Sequence, residues 1–339
     1  MKPWSGPAWG LAAGVLAAAA VVSLSAQAPL HPAPKGTGKD ALAQVNAALQ
    51  AGEADHALAL LQALPQSGPQ EAEAHNLECR VLYTLEQWNR AVSACEQAVK
   101  AEGENSAYHL WLGRALGEKA DRASFMSAYS LGKRVRVEFE EAVRLNPRNA
   151  EALSDLGEFY ETAPGVVGGG LDKAEKIAEQ LDKVDAARAH ELRGRIAEER
   201  KDYGTAEREY KQAIGADAHP AFQWMTLASF YRRRERWPEM EAAVQSGIGA
   251  VQRDRSAGAA LCDGAGVLTR ANRNPELAAK MLEEYLAGSF KTEKAPSFQA
   301  HLRLARVKEQ LGDREAAQRE RAAAFALAHD FKPAQDAKH

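Results

Sequence analysis

Trp224-Met225-Thr226-Leu227-Ala228-Ser229-Phe230-Tyr231, followed by Trp237, sets the large side chains of Trp224, Leu227 and Tyr231 around the small Ala228. Steps of three and four place these four residues on one face of a helix. Upstream, Gly194, Tyr203, Ala206, Tyr210, Ala213 and Pro220 stand at compatible spacing, so 187–220 and 221–254 are two abutting units of the same length. Each unit reads as a helix, a short turn at a charged or glycine position, and a second helix. Self-similarity at a fixed period marks a repeat architecture, in which no unit buries its apolar face without its neighbours.

The register extends in both directions. Residues 72–105 carry Leu82, Trp88, Ala91, Cys95 and Ala98, with Cys79 at the small site of the first helix. Residues 38–71 keep Gly52, Ala57 and Leu61 in a degenerate terminal unit of the capping kind. The unit 106–149 opens on Leu112-Gly113 and closes on Phe139, Ala142 and Leu145-Asn146-Pro147, with about ten extra residues around Lys119–Lys133. The unit 150–186 has Leu156-Gly157 and Tyr160, then a lengthened turn over Thr162–Asp172. Residues 259–292 are weaker (Gly266, Ala278, Tyr285), and 298–331 recover the pattern with Leu304-Ala305, Gly312-Asp313, Ala317 and Ala324.

These residues resemble the tetratricopeptide repeat, whose W-x2-L-G-x2-Y…A-x3-F…P pattern they follow over about 38–331. The resemblance implies an all-α, right-handed superhelical solenoid of about eight helical hairpins, with first helices lining the concave side. It further implies a protein–protein interaction scaffold rather than an enzyme. Composition agrees with the fold class: Ala numbers 69, against 17 Val, 4 Ile and 7 Thr. Alanine favours helix, and the β-branched residues that strands enrich are scarce. A net charge of −3 offers no basic field for nucleic acid.

Met1–Ala28 reads as a signal peptide: Lys2 is its one charge, Trp9–Leu24 is apolar or small, and Ser25-Ala26-Gln27-Ala28 resembles a cleavage site. The apolar stretch is shorter than the roughly 20 residues of a spanning helix, so no membrane span is expected after cleavage. Pro29 would impede cleavage after Ala28. Cleavage after Ala26, or retention as an N-terminal anchor, are the alternatives. A flexible linker over 29–39, a solenoid over 40–331 and a disordered tail over 332–339 complete the expected organisation, in a periplasmic or secreted protein. Export gives meaning to Cys79 and Cys95, which fall on the two antiparallel helices of one hairpin; a disulfide and two unlinked core thiols both fit. Cys262 is distant and reads as a small core residue.

Catalytic and metal motifs fail on their companions. His75, His109, His190 and His301 share one repeat position, and packed helices 8–10 Å apart cannot bring them to a common ion. His190-Glu191 lacks the second histidine of H-E-x-x-H, since Gly194 stands there. Ser130-Leu131-Gly132-Lys133 matches S-x-x-K without its partner motifs. The loop from Thr162 to Gly170 lacks the Gly-Lys-Ser/Thr ending of a phosphate cradle and reads as a long helix–helix turn. No cofactor or metal is expected.

By the repeat register, Asn76, Arg80, Tyr83, Arg114, Glu158, Arg195, Phe222, Met225, Arg232 and Arg233 face the concave groove, where a peptide or helix of a partner would bind. The aromatic and arginine content around Phe222 and Arg232 suits an acidic peptide or a terminal carboxylate. A different reading is a solute- or glycan-binding accessory subunit of an envelope machine, with Tyr83, Trp111 and Phe222 lining a deep pocket. Phe125, Met126 and Tyr129 in the insertion read either as an exposed contact surface or as a lid folded over the groove.

Overall fold

The computed structural model describes residues 38–65 and 68–336. The signal segment, the linker up to residue 37 and residues 337–339 of the tail lie outside them. The described residues are all-helical and form eight hairpins. They are α1 (Gly38–Ala51) with α2 (Ala54–Gln62), α3 (Glu71–Thr84) with α4 (Trp88–Ala101), and α5 (Ser106–Asp121) with α6 (Phe125–Leu145). Next come α7 (Ala150–Thr162) with α8 (Leu171–Leu181), α9 (Ala186–Glu199) with α10 (Tyr203–Ala216), and α11 (Ala221–Arg233) with α12 (Trp237–Arg253). The last two are α13 (Ala260–Arg270) with α14 (Pro275–Ala287), and α15 (Ser297–Gln310) with α16 (Arg314–Leu327), followed by the short α17 (Lys332–Asp336).

Six of the eight hairpins share one local chemistry. The turn between their two helices passes through a left-handed residue at Gly52, Glu86, Lys201, Glu235, Asn272 and Gly312, with φ between 51° and 84°. After each of them the chain donates back across the helix end, as Gln87 N–H does to Leu82 O and Arg236 N–H to Tyr231 O. This six-residue return satisfies orphan carbonyls and reverses the chain. Asn105, Asn149, Asp185, Asp202, Asn274 and Asp313 then cap helix starts by accepting backbone N–H groups. Within hairpins the small positions are closed by a large partner. A Cβ at Gly194 would lie 2.7 Å from the Tyr210 ring, so only glycine lets α9 and α10 approach this closely. Ala228 and Ala305 are buried at equivalent sites, and Tyr210 and Tyr231 fill the gaps beside them.

Cys79 and Cys95 are joined in a disulfide between α3 and α4, with their Cα atoms 5.2 Å apart. Cys262 is free and buried, and burial pushes its thiol up to about 12. One expectation is corrected, and one of the two readings of the insertion falls. The extra residues of the third unit do not fold back as a lid: they lengthen α5 and α6, leaving Phe125 and Met126 exposed at the hairpin tip. The tail is ordered as far as Asp336, because Phe331 and Ala334 are buried in a core.

That core joins the two ends of the array. Phe298, Leu302, Ala324 and Phe331 share one apolar cluster with Val45, Leu49, Leu77 and Val81. Ser297 Oγ donates to Ala51 O at 2.7 Å, Gln299 Nε2 to Thr84 O at 3.0 Å, and His329 N–H to Asp55 Oδ2 at 2.9 Å. A Cβ at Gly52 would fall 2.3 Å from the Ser297 nitrogen, so only glycine fits this left-handed turn against the eighth hairpin. The eighth hairpin thus packs on the first two, and the solenoid closes on itself.

Candidate functional site: the concave face

The chain between α14 and α15 reaches into the closed array. Lys291 Nζ donates to the carbonyls of Tyr285, Leu286 and Gly288 at 2.5–2.8 Å, capping the end of α14, and Tyr285 Oη donates to Ala295 O at 2.6 Å. These anchors present Glu293 and Lys294 to the first helices. Arg80 of α3 grips both oxygens of Glu293 with one edge of its guanidinium, Nε to Oε2 at 2.9 Å and Nη2 to Oε1 at 2.7 Å. Gln50 of α1 donates to the same carboxylate at 3.2 Å and accepts the Glu293 N–H. Lys294 crosses to Glu151 of α7 at 2.7 Å. One short segment therefore spans α1, α3 and α7, which places those helices around a common concavity.

Charges on this half are matched. Arg114 pairs with Asp155 at 2.5 Å and Glu151 at 3.2 Å, and Arg195 with Glu158 at 3.0 Å and Glu161 at 2.8 Å. Burial alone would raise the Glu151 carboxyl, but Lys294 and Arg114 hold it down at about 2. The aromatic residues are covered too. Tyr83 meets Trp88 and Trp111 edge-on, and the guanidinium groups of Arg80 and Arg114 both lie over the Trp111 ring.

The other half differs. Arg233 pairs with Glu198 at 2.5 Å, and Glu198 also accepts the Tyr210 hydroxyl at 2.7 Å. Its neighbours Arg232 (α11), Arg270 (α13) and Arg303 (α15) make no ion pair among the described residues. The Arg232 Nε is buried without a hydrogen-bond partner. Burial, followed by the charges of Arg232, Arg303 and Arg233, lowers the Arg270 pKa, with Asp263 the opposing anion. Burial and Arg233 lower that of Arg232 in the same way.

Of the residues assigned to the groove from the repeat register, Arg80, Arg114, Glu158 and Arg195 join the ion pairs above, Tyr83 the ring contacts, and Arg233 pairs with Glu198, while Phe222 is exposed and Arg232 keeps its Nε without a partner. Asn76 and Met225 are corrected. Asn76 is buried with its amide donating to Glu73, and Met225 is a core residue packed against Gly247 and Gly264. Register alone cannot separate a groove position from a core position where the facing helices come close. Glu293, Lys294, Arg270 and Arg303 escaped sequence reasoning. The first two sit on a connector, and the others on units with weak periodicity or off the register.

The histidines bind within their own hairpins. His109 Nδ1 meets Glu138 Oε2 at 2.7 Å, His190 meets Glu209 at 2.8 Å and His301 meets Glu320 at 2.6 Å. At His109 both ring nitrogens face acceptors, and the Glu138 hydrogen bond raises its pKa. No group of three or more metal-ligating side chains converges among the described residues. In the glycine-rich turn, Gly170 N–H donates to Tyr160 O and Lys173 donates to Gly168 O, so the turn is held by its own flanks. Ser130 and Lys133 lie along α6, where Lys133 stacks on the Tyr129 ring.

Residues 77–123 and 166–221 match the tetratricopeptide repeat family model. None of the curated proteins compared matches the sequence. Among solved structures, a thermophilic TPR protein of Thermus thermophilus is similar at 20% identity with a TM-score of 0.48, over 57% of this chain and 97% of that one. A tetratricopeptide repeat protein of Parabacteroides merdae ATCC 43184 is similar at 11% identity with a TM-score of 0.45, over 88% of this chain and 96% of that one. The Cut9–Hcn1 hetero-tetramer of the APC/C is similar at 11% identity with a TM-score of 0.41, over 89% of this chain and 55% of that one. The matched stretches fall on hairpins of one recurring build, so residues 77–123 and 166–221 are similar to tetratricopeptide repeats.

Proposed function

We propose that the protein is a non-catalytic scaffold of the bacterial cell envelope whose concave face holds an extended segment of a partner protein. The observation that carries this reading is the protein's own connector. Residues 291–296 lie across α1, α3 and α7, with a carboxylate in a two-pronged arginine grip and a lysine on a facing glutamate. The face is therefore built to hold non-helical chain through its side chains. Because the connector fills the first half, a partner segment docks along α11, α13 and α15. The signal-like N-terminus and the Cys79–Cys95 disulfide support export to an oxidising compartment.

Hydrogen exchange on the protein with and without a partner captured from envelope extracts tests the docking face. Protection is expected in α11 and α13; protection confined to the outer helices α10, α12 and α14 overturns the reading. Fractionation of cells making the full chain tests export, and a soluble cytoplasmic pool as the sole location would refute it. The pocket reading has less support, because the faces of Trp111 are already covered by Arg80 and Arg114.

A further inference from the structure

His109, His190 and His301 stand at one repeat position on first helices, and each meets a glutamate of its hairpin's second helix through Nδ1. The glutamate follows 19 positions later in the fifth and eighth hairpins and 29 later in the third, where the insertion lengthens both helices. The pairs differ in what the other ring nitrogen meets. At His190 and His301 no acceptor stands against Nε2 among the described residues, so a neutral ring with its proton on Nδ1 satisfies the contact. At His109, Nε2 lies 2.9 Å from the Gly103 carbonyl while Nδ1 lies 2.7 Å from Glu138 Oε2. An ionised carboxylate and a carbonyl only accept, and a neutral imidazole has one N–H to give. Only the doubly protonated ring serves both. This pair is also the most enclosed of the three, with side-chain exposures of 11% and 16%. The other charges around α5 are engaged elsewhere. On α6, Glu141 lies near the ring and is held by Arg144 at 2.7 Å, and Arg144 also reaches Glu104 at 3.8 Å. Glu102 meets Asn105, Glu73 of α3 meets the Tyr108 hydroxyl, Glu96 of α4 meets Arg134, and Glu151 and Asp155 of α7 meet Arg114. Lys100 of α4 is exposed.

We infer that His109 is a proton-operated clasp on the joint between the second and third hairpins. Gly103 belongs to the turn that carries the chain from α4 to α5, and Glu138 to α6, so the charged ring ties that turn to the far helix of the next hairpin. When the ring loses a proton, one of the two contacts must fail. The carboxylate is the stronger acceptor, so the remaining N–H stays on Nδ1. The Nε2 lone pair then faces the Gly103 oxygen, two acceptors without a proton between them in a site closed to water. The turn is the part that yields, since residues 101–104 are exposed whereas His109 is buried. The Glu138 hydrogen bond raises the His109 pKa above its ordinary 6.5. The clasp is therefore complete below about pH 6.5 and opens as the pH rises through the raised value. Acid stiffens the joint and base loosens it. Arg80 on α3 and Arg114 on α5, which both cover Trp111, lie on the two sides of this joint, so the proton is coupled to the spacing of the concave face.

The test uses the full-length protein and hydrogen exchange, corrected for the intrinsic rate at each pH, from about pH 5.5 to about pH 9.5. The amides of Glu102, Tyr108 and His109 are bonded on the two sides of the turn. Their protection should fall about tenfold as the ring deprotonates, the order of one charged hydrogen bond. Amides at the start of α9, where His190 meets a single acceptor, should hold their protection over the same range. Imidazole nitrogen shifts should show His109 doubly protonated at the acid end. Glu138→Gln is the sharpest variant. Glutamine keeps the size of the side chain, and its Nε2 donates to Nδ1 of a neutral ring whose Nε2–H then serves Gly103. That protein should keep the turn protected at both ends of the pH range, and His109→Gln should likewise lose the pH dependence. Protection of the turn that does not change as His109 titrates overturns the inference. So does a ring that keeps one protonation state across the range, or a Glu138→Gln protein that loses protection with pH as wild type does. The first two outcomes are read on the unaltered protein, so they stand whether or not either variant folds.

Discussion

The two halves of the concave face carry the same kinds of residue and use them differently. Around α1–α9, Arg80, Arg114 and Arg195 each have a carboxylate partner, Lys294 closes onto Glu151, and a disulfide ties α3 to α4. Around α11–α15, Arg232, Arg270 and Arg303 stand together with Asp263 as the opposing anion on their own helices, and Cys262 is free. The difference teaches that repeats of one design can be finished or left open by what meets them from outside the repeat. The first half is completed by a connector and by the eighth hairpin. The second half has no such visitor among the described residues.

The largest expected effect comes from undoing that completion. Phe298 is fully buried where the last hairpin meets the first two. Phe298→Ala should cost about 3–5 kcal/mol in urea unfolding and speed hydrogen exchange in α1 and α3. A loss below about 1 kcal/mol would mean that the closure contributes little. Next in size, reduction of Cys79–Cys95 should remove about 3 kcal/mol from the first half, on the chain-entropy account of a loop of this length. Thiol labelling of the unreduced, denatured protein should find one reactive cysteine; three would remove the bridge from the comparison.

Arg80→Ala leaves the Glu293 carboxylate in a nearly closed site without its fork, for an expected loss of about 2–3 kcal/mol. The matched experiment on the other half is Arg303→Gln, for which no loss of stability is expected. Similar losses from both variants would erase the distinction between the halves. The smallest effect is a pH dependence. The Glu151 carboxyl is held at about 2, below its unfolded value of about 4.3. Its contribution is therefore complete above about pH 4.3 and is lost as the pH falls towards 2. With Glu151 partly exposed, that contribution is no more than about 1 kcal/mol. Lys294→Gln should shrink this acid-dependent component; an unchanged acid limb of the stability curve would exclude the Lys294–Glu151 contact from it.

Much of the fold was legible because repeats write the same packing requirement many times. Gly194 against Tyr210, and Ala228 beside Tyr231, can be inferred from spacing alone, since each small site must admit a neighbouring helix. The turn residues could be placed too, although Glu86, Lys201 and Glu235 adopt a left-handed conformation more often taken by glycine or asparagine. The concave site was only partly legible. Register assigns Arg80, Arg114, Arg195, Phe222 and Arg232 to the groove together with Asn76 and Met225, and these last two are buried instead. Glu293 has no periodic neighbours to identify it, and Arg303 acquires its meaning from Arg270 on another helix.

By itself the sequence determined the helical hairpin, its length and its stacking, because these depend on residues within about 34 positions of one another and on contacts repeated along the chain. It could not determine how many hairpins complete a turn, since that follows from small rotations accumulated at each interface. Only the tertiary structure decided that the eighth hairpin reaches the first, bringing Ser297 to Ala51 and Glu293 to Arg80. Those contacts decide which arginines are satisfied within the chain.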